Sequence, residues 1–260
     1  MKTLLALLTL GLIATTTMAA DKPDTRLFEM RVYYAKPGKL DALNARFRDH
    51  TLSLFTKHGM TNLGYFVPVD NKENKLVYFL AFPDRAAHDA SWKAFSADPD
   101  WKAAAKASEK DGKLIDHIEN AFLTATEYSA LAQAKNYGGV FELRTYTTEA
   151  GRLPDLNARF RDHTLKLFEK HGMTNVCYWN LADAEKGAKN TYVAGNTLIY
   201  LLSHKSIEAA KVSFDAFRAD PTWIAAKEAS EKKAGGSLTI AQPNGVKSEA
   251  LIPTDYSPVK

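Results

Sequence analysis

Leu43–Asn62 reads LNARFRDHTLSLFTKHGMTN, and Leu156–Asn175 reads LNARFRDHTLKLFEKHGMTN; eighteen of the twenty letters agree, at an offset of 113. The same offset superposes Phe28-Glu29 on Phe141-Glu142, Arg31 on Arg144 and Tyr33 on Tyr146. Further along, Ser91–Trp101 (SWKAFSADPDW) matches Ser213–Trp223 (SFDAFRADPTW) at an offset of 122, so the second copy carries nine extra residues. They fall around Asp183–Asn196, a Gly-, Ala-, Lys- and Asn-rich stretch that reads as a longer hairpin loop. A period this long, present twice, is a duplicated domain and not a solenoid.

The spacing of apolar residues assigns the elements of each copy. Leu27–Tyr34 alternates and predicts a strand. Pro37-Gly38 makes a turn, and a helix over Lys39–His58 follows, closed by Gly59. Asn62–Val69 and Lys75–Phe82 are strands joined by the hairpin loop Asp70–Asn74. A helical region runs from about Asp84 to Ser96. Asp98-Pro99 starts a further short helix, with Asp98 as N-cap and Pro99 at the first helical position, a device repeated at Asp220-Pro221. A last strand lies within Leu114–Glu127. The order is β-α-β-β-α-β, the ferredoxin-like pattern.

The third strand decides how the copies associate. Leu76–Phe82 is apolar at every position, as is its counterpart Leu198–Leu202. A strand with one wet face alternates; a strand covered on both faces need not. Helices cover one face of such a module, and the duplicate is the available cover for the other. The expected fold is therefore α+β, with two ferredoxin-like modules packed sheet to sheet, a dimeric α/β barrel fused into one chain. The expected boundaries are a signal peptide at 1–20, module 1 at 26–128, a linker at 129–139 and module 2 at 140–256.

The signal peptide is read from Met1-Lys2, the apolar run Leu4–Ile13 and the small residues ending at Ala19-Ala20, before charge returns at Asp21. The run is too short to span a bilayer, and no later stretch is apolar enough to be a transmembrane segment. A periplasmic or secreted location follows. With 45% apolar and 25% charged residues the remainder is ordinary globular material. The net charge of +4 is spread through interleaved acids and bases, which argues against a nucleic-acid partner. The single Cys177 excludes an intrachain disulfide and reads as a small core residue.

Phe141–Met173, FELRTYTTEAGRLPDLNARFRDHTLKLFEKHGM, resembles the opening of a NIPSNAP domain. It has an E-x-R-x-Y strand, a Gly turn, a helix carrying F-x-x-H and a His-Gly end. The later A-F-x-A-D-P-x-W segment resembles that family's second helical region, and both copies carry both features. The resemblance implies the dimeric α/β barrel fold and no settled catalytic activity. The best-known members are mitochondrial and linked to vesicle traffic, mitophagy and protein interaction; the export signal sets this chain apart from that setting.

At 100° per residue, His50 falls inside the apolar stripe of its helix with Leu43, Phe47 and Leu54, and His163 repeats it. Either these two histidines line a ligand pocket between helix and sheet, or they are hydrogen-bonded core residues. His58 and His171 fall in the last helical turn, where the dipole favours a cation. Arg46, Arg48 and Asp49 flank the stripe as a solvated edge. On the first strand Glu29, Arg31 and Tyr33 share one face, and Phe28, Met30, Val32 and Tyr34 the other. If the apolar set faces the helices, the polar set meets Glu142, Arg144 and Tyr146 between the modules. That would be a structural ion-pair cluster or a polar-ligand site. No phosphate loop, Cys-x-x-Cys, His-Glu-x-x-His or G-x-S-x-G motif occurs, so no metal site and no catalytic residue is assigned.

The expected function is an exported module that binds a small molecule or a protein, with no established catalytic activity; whether it is an enzyme is left open. A haem-binding protein or cofactor-poor monooxygenase is the alternative implied by the superfamily. Homo-oligomer formation is left open.

Overall fold

The computed structural model describes residues 24–130, 132, 135–183 and 194–260. The expected signal peptide, part of the expected linker and most of the inserted hairpin loop lie outside the described residues. The first half runs β1 (Leu27–Ala35), α1 (Leu40–Arg46), a π-helical turn (Phe47–Thr51), α2 (Leu52–Lys57), β2 (Thr61–Pro68), β3 (Lys75–Phe82), α3 (Arg85–Ala97), α4 (Pro99–Ser108) and β4 (Ile115–Ala125). The second repeats it as β5 (Val140–Thr147), α5 (Leu153–Arg159), a π-helical turn (Phe160–Thr164), α6 (Leu165–Lys170), β6 (Thr174–Asp183), β7 (Thr197–His204), α7 (Ile207–Ala219), α8 (Pro221–Ala234) and β8 (Val246–Pro253). Among the described residues no helix is long and apolar enough to cross a membrane.

The eight strands form one closed barrel in the order β1-β3-β2-β8-β5-β7-β6-β4. Within each half the pairing is antiparallel, with β1 between β3 and β4 and β5 between β7 and β8. The halves are also hydrogen-bonded to each other, β2 to β8 and β4 to β6. Closure leaves no open sheet edge to recruit another chain. Face-to-face packing alone, as read from the sequence, did not require these two seams.

The uniformly apolar strands supply both sides of the barrel wall. Val77, Phe79 and Ala81 of β3 point into the barrel and meet Ile199 and Leu201 of β7 in a shared interior cluster. Leu76, Tyr78, Leu80 and Phe82 point outward under the helices of the first half. Leu198, Tyr200 and Leu202 do the same in the second. Phe79 stacks on Trp179 across the halves, with ring centroids 5.2 Å apart. An eight-stranded barrel is just wide enough for side chains to fill, and the interior cavity beside Gly64, Cys177 and Trp179 is only ≈ 20 Å³, about one water. Gly64 has a packing reason: a Cβ there would lie 2.7 Å from the ring of Phe66.

Each N-cap read from the sequence is formed. Asp98 and Asp220 accept from the backbone N–H of Asp100 and Thr222, with Pro99 and Pro221 opening the helices.

Because the two halves share one interior, they should unfold together. Trp179→Ala, in the second half, is expected to cost about 3–5 kcal/mol in urea denaturation. Circular dichroism and intrinsic fluorescence should follow one coincident transition. A transition that leaves half of the helical signal intact would contradict the shared interior.

Candidate functional site

The alternation of β1 holds, but its faces are reversed from the expectation. Phe28, Met30 and Val32 belong to the barrel interior, and Tyr34 packs against it. Tyr33 lies under the helices, and Glu29 and Arg31 share its face. Glu29, Arg31, Tyr33 and Glu142, Arg144, Tyr146 therefore do not form one inter-module cluster; each set sits beneath the helices of its own half. The physical reason is partner supply. A narrow, dry barrel offers buried charge no hydrogen bonds, whereas the helix layer offers donors.

In the first half Glu29 is fully buried. It accepts from Arg31 Nη1 at 2.6 Å and from the Trp92 indole Nε1 at 3.0 Å. The His88 imidazole of α3 stands 3.3 Å from the same carboxylate. Trp92 also covers the Arg31 guanidinium, at 4.5 Å.

The second half keeps the carboxylate and the guanidinium but changes their surroundings. Glu142 accepts from Arg144 Nη1 at 2.6 Å and from the Ser248 hydroxyl. Arg144 Nη2 donates to the Tyr146 hydroxyl at 3.3 Å. At the repeat offset the place of His88 is taken by Ala210, that of Trp92 by Phe214 and that of Phe82 by His204. The imidazole is thus supplied from the strand instead of the helix. His204 Nε2 lies 3.0 Å from Glu142 Oε2. Two smaller side chains on α7 leave room above the strand. A cavity of ≈ 280 Å³ is lined by Glu142, Arg144, His204, Ala210, Phe214 and Ser248 among others. A second, of ≈ 500 Å³, shares Arg144, Phe214 and Arg218 with the first and extends along Tyr146, Phe217 and Trp223. Spaces of this size admit a small molecule.

The electrostatics follow from the same contacts. Burial alone would raise the Glu142 carboxyl, but His204, Arg144 and Ser248 hold it down at about 2. Burial likewise opposes the ionised Glu29, and His88 and Arg31 bring it to about 2. The Tyr146 phenol is buried, which disfavours its ionisation, yet Arg144 and Tyr200 draw its pKa below the usual tyrosine value. Among the described residues, Arg144 Nε and His204 Nδ1 are buried with no hydrogen-bond partner, as are Arg31 Nε in the first half and Arg46 Nε and Arg159 Nε beneath the tryptophans, so this feature does not distinguish the two halves.

His50 and His163 lie elsewhere. Both are exposed, so neither a core position nor a pocket between helix and sheet describes them. The cause is the π-helical turn in which each sits. Its wider i→i+5 turn shifts the inward position to Thr51 and Thr164. Both are 1% exposed, and their hydroxyls donate to the Arg46 and Arg159 carbonyls at 3.1 Å. His163 lines a surface groove with Arg159, Ser230 and Lys233. Arg48 and Asp49 lie on the solvated edge, but Arg46 does not, and neither does its counterpart Arg159. Arg46 and Arg159 are buried and lie against Trp101 and Trp223 at 5.2 Å.

His58 and His171 occupy helix C-caps. Their Nε2 atoms contact the Asp98 and Asp220 carboxylates at 2.6 and 2.8 Å, tying α2 to α4 and α6 to α8. Cys177 is buried, and burial pushes its thiol up to about 12, which makes it a poor nucleophile. Among the described residues no group of three or more His, Cys, Asp or Glu could hold a metal.

His204, Ala210, Phe214 and Arg218 were not singled out from the sequence. Their signal is nonetheless present in the repeat, as the positions around α3 and α7 where the two copies differ.

The model of the NIPSNAP family matches residues 28–130 and 141–258. No curated protein matches the chain. Among solved structures, the chain is similar to an uncharacterized NIPSNAP domain protein from Burkholderia xenovorans. Identity is 25% and the TM-score 0.34, over 38% of this chain and 94% of that one. It is also similar to an anthrone oxidase-like protein, at 13% identity and a TM-score of 0.54, over 90% of this chain and 94% of that one. A putative monooxygenase from Lactobacillus acidophilus matches at 10% identity and a TM-score of 0.51, over 88% and 94%. The last two show a shared barrel fold over nearly the whole chain.

The depressed carboxyls carry a pH dependence. A group whose folded pKa lies near 2, below its ordinary 4.5, stabilises the fold fully above 4.5 and loses that contribution as pH falls toward 2. The urea midpoint should therefore drop steeply between about pH 5 and about pH 2.5, and Glu29→Gln/Glu142→Gln should flatten that drop. An equally steep drop in the double variant would show that other groups control acid stability.

Proposed function

Since the chain belongs to the NIPSNAP family, we propose that it is an exported member in which two ferredoxin-like modules scaffold one small-molecule binding site, placed in the second half. The mature chain begins near Asp21 and works in the periplasm or outside the cell. The protein acts as a binding module. The observation that carries this reading is the pair of adjoining spaces that share Arg144, Phe214 and Arg218, one of them lined also by Glu142 and His204. At the same place in the first half, Trp92 and His88 lie on the glutamate.

Binding at this site would set a ligand's polar end against Arg144 and His204 and its body against Phe214, Phe217 and Trp223. The carboxylate of Glu142 holds the Arg144 fork in place, so the donor edge is oriented before a ligand arrives. Preorganisation of this kind reduces the entropy lost on binding.

Native mass spectrometry of the protein purified from its producing cells tests the reading. The parent should carry a retained small molecule. Ala210→His/Phe214→Trp, which introduces the first half's side chains, should fold and lose it. A parent free of any bound molecule, or a variant that retains it undiminished, would contradict the proposal.

A further inference from the structure

The two copies differ in charge where they differ in shape. The paired cavities of the second half are lined by Arg144, Lys211, Arg218 and Lys227, against Glu142 and Glu228. The equivalent positions of the first half hold Arg31, Asp89, Ser96 and Ala105, with Glu29 and Lys106, and Arg85 stands where the second half has Ile207. Cations outnumber carboxylates four to two around the open site and three to two around its counterpart. Part of the excess is answered locally: Lys211 and Arg218 both contact Asp215, at 2.7 and 2.6 Å, and Lys227 lies 3.6 Å from Glu231. Those carboxylates do not line the cavities, so a molecule inside faces the cations.

The apolar lining has an equally definite character. Phe214, Phe217, Trp223 and Ile224 form one side of the larger cavity. Phe217 and Trp223 stand 4.4 Å apart between ring centroids, and the Arg144 guanidinium lies 4.5 Å from the Phe214 ring centre. A flat apolar body fits this wall, and an anionic end fits the guanidinium and the cationic rim. Arginine is the residue suited to a planar carboxylate.

We infer that the second-half site takes an aromatic carboxylate, with its ring on the Phe214–Phe217–Trp223 wall and its carboxylate between Arg144 and the Arg218–Lys227 rim. The inference rests on the binding-site reading above and names its ligand class. Arg144 is unsuited to a first test, because its removal leaves Glu142 buried beside one partner fewer. Arg218 and Lys227 are about half exposed and can be changed without that cost.

Isothermal titration calorimetry with three naphthyl probes tests the inference: 1-naphthoate, neutral 1-naphthylmethanol and cationic 1-naphthylmethylamine. The parent should prefer 1-naphthoate over the neutral probe by at least about tenfold, with affinity falling as salt rises. Arg218→Ser/Lys227→Ala, which installs the first half's residues, should erase most of the preference for 1-naphthoate over the neutral probe; a variant that keeps the parent's preference overturns the assignment of the carboxylate to this rim. Equal affinity for all three probes, or preference for the amine, overturns the anion assignment and leaves the binding-site reading standing. Failure of all three probes to bind overturns the aromatic-carboxylate class. The retained molecule in the mass spectrum then judges the site separately.

Discussion

The structure depends on two strands that can tolerate water on neither face. From Leu76 to Phe82 every side chain of β3 is at most 1% exposed, and β7 is buried along its whole length. Helices can cover only the outer side of such strands. The inner side needs a second apolar sheet, and within one chain the duplicated half provides it. Once the sheets face each other, pairing β2 with β8 and β4 with β6 satisfies the edge hydrogen bonds that would otherwise be left open. The closed barrel follows from those two requirements.

A filled barrel moves chemistry outward. Its interior is narrow and apolar, so the Glu-x-Arg-x-Tyr face turns to the helices, where indole, imidazole and hydroxyl groups can meet it. Each half solves the buried-glutamate problem with an arginine and an imidazole nearby, but the imidazole comes from α3 in one half and from β7 in the other. Relocating it frees the helix position. With Ala210 in that position and Phe214 instead of an indole, one half is open where the other is occupied. Duplication thus separates two tasks: one copy keeps a closed, structural cluster, and its twin carries the candidate site.

Much of the fold was legible in the sequence because its signals are local or periodic. The 113-residue offset, the strand alternation, the Asp-Pro caps and the doubly apolar third strand each reduce to short-range physics. The residues of the site were legible only in part. Glu142, Arg144 and Tyr146 stand out as a motif, but alternation alone does not say which face is inward, and the assumption that apolar residues go to the helices inverted it. His50 and His163 were misplaced because a 100° wheel has no room for a π-helical turn, whose Phe-Arg-Asp-His-Thr segment carries no distinguishing pattern. His204 and Ala210 escaped notice because the informative feature was a difference between near-identical copies.

The claim that the space over Glu142 is open and the equivalent place over Glu29 is filled is tested most directly by hydrogen–deuterium exchange with and without saturating 1-naphthoate. The account predicts added protection on α7 and α8 (Ile207–Ala219 and Pro221–Ala234), with α3 and α4 (Arg85–Ala97 and Pro99–Ser108) unchanged. Equal protection of both helix pairs, or protection confined to the first, would contradict it.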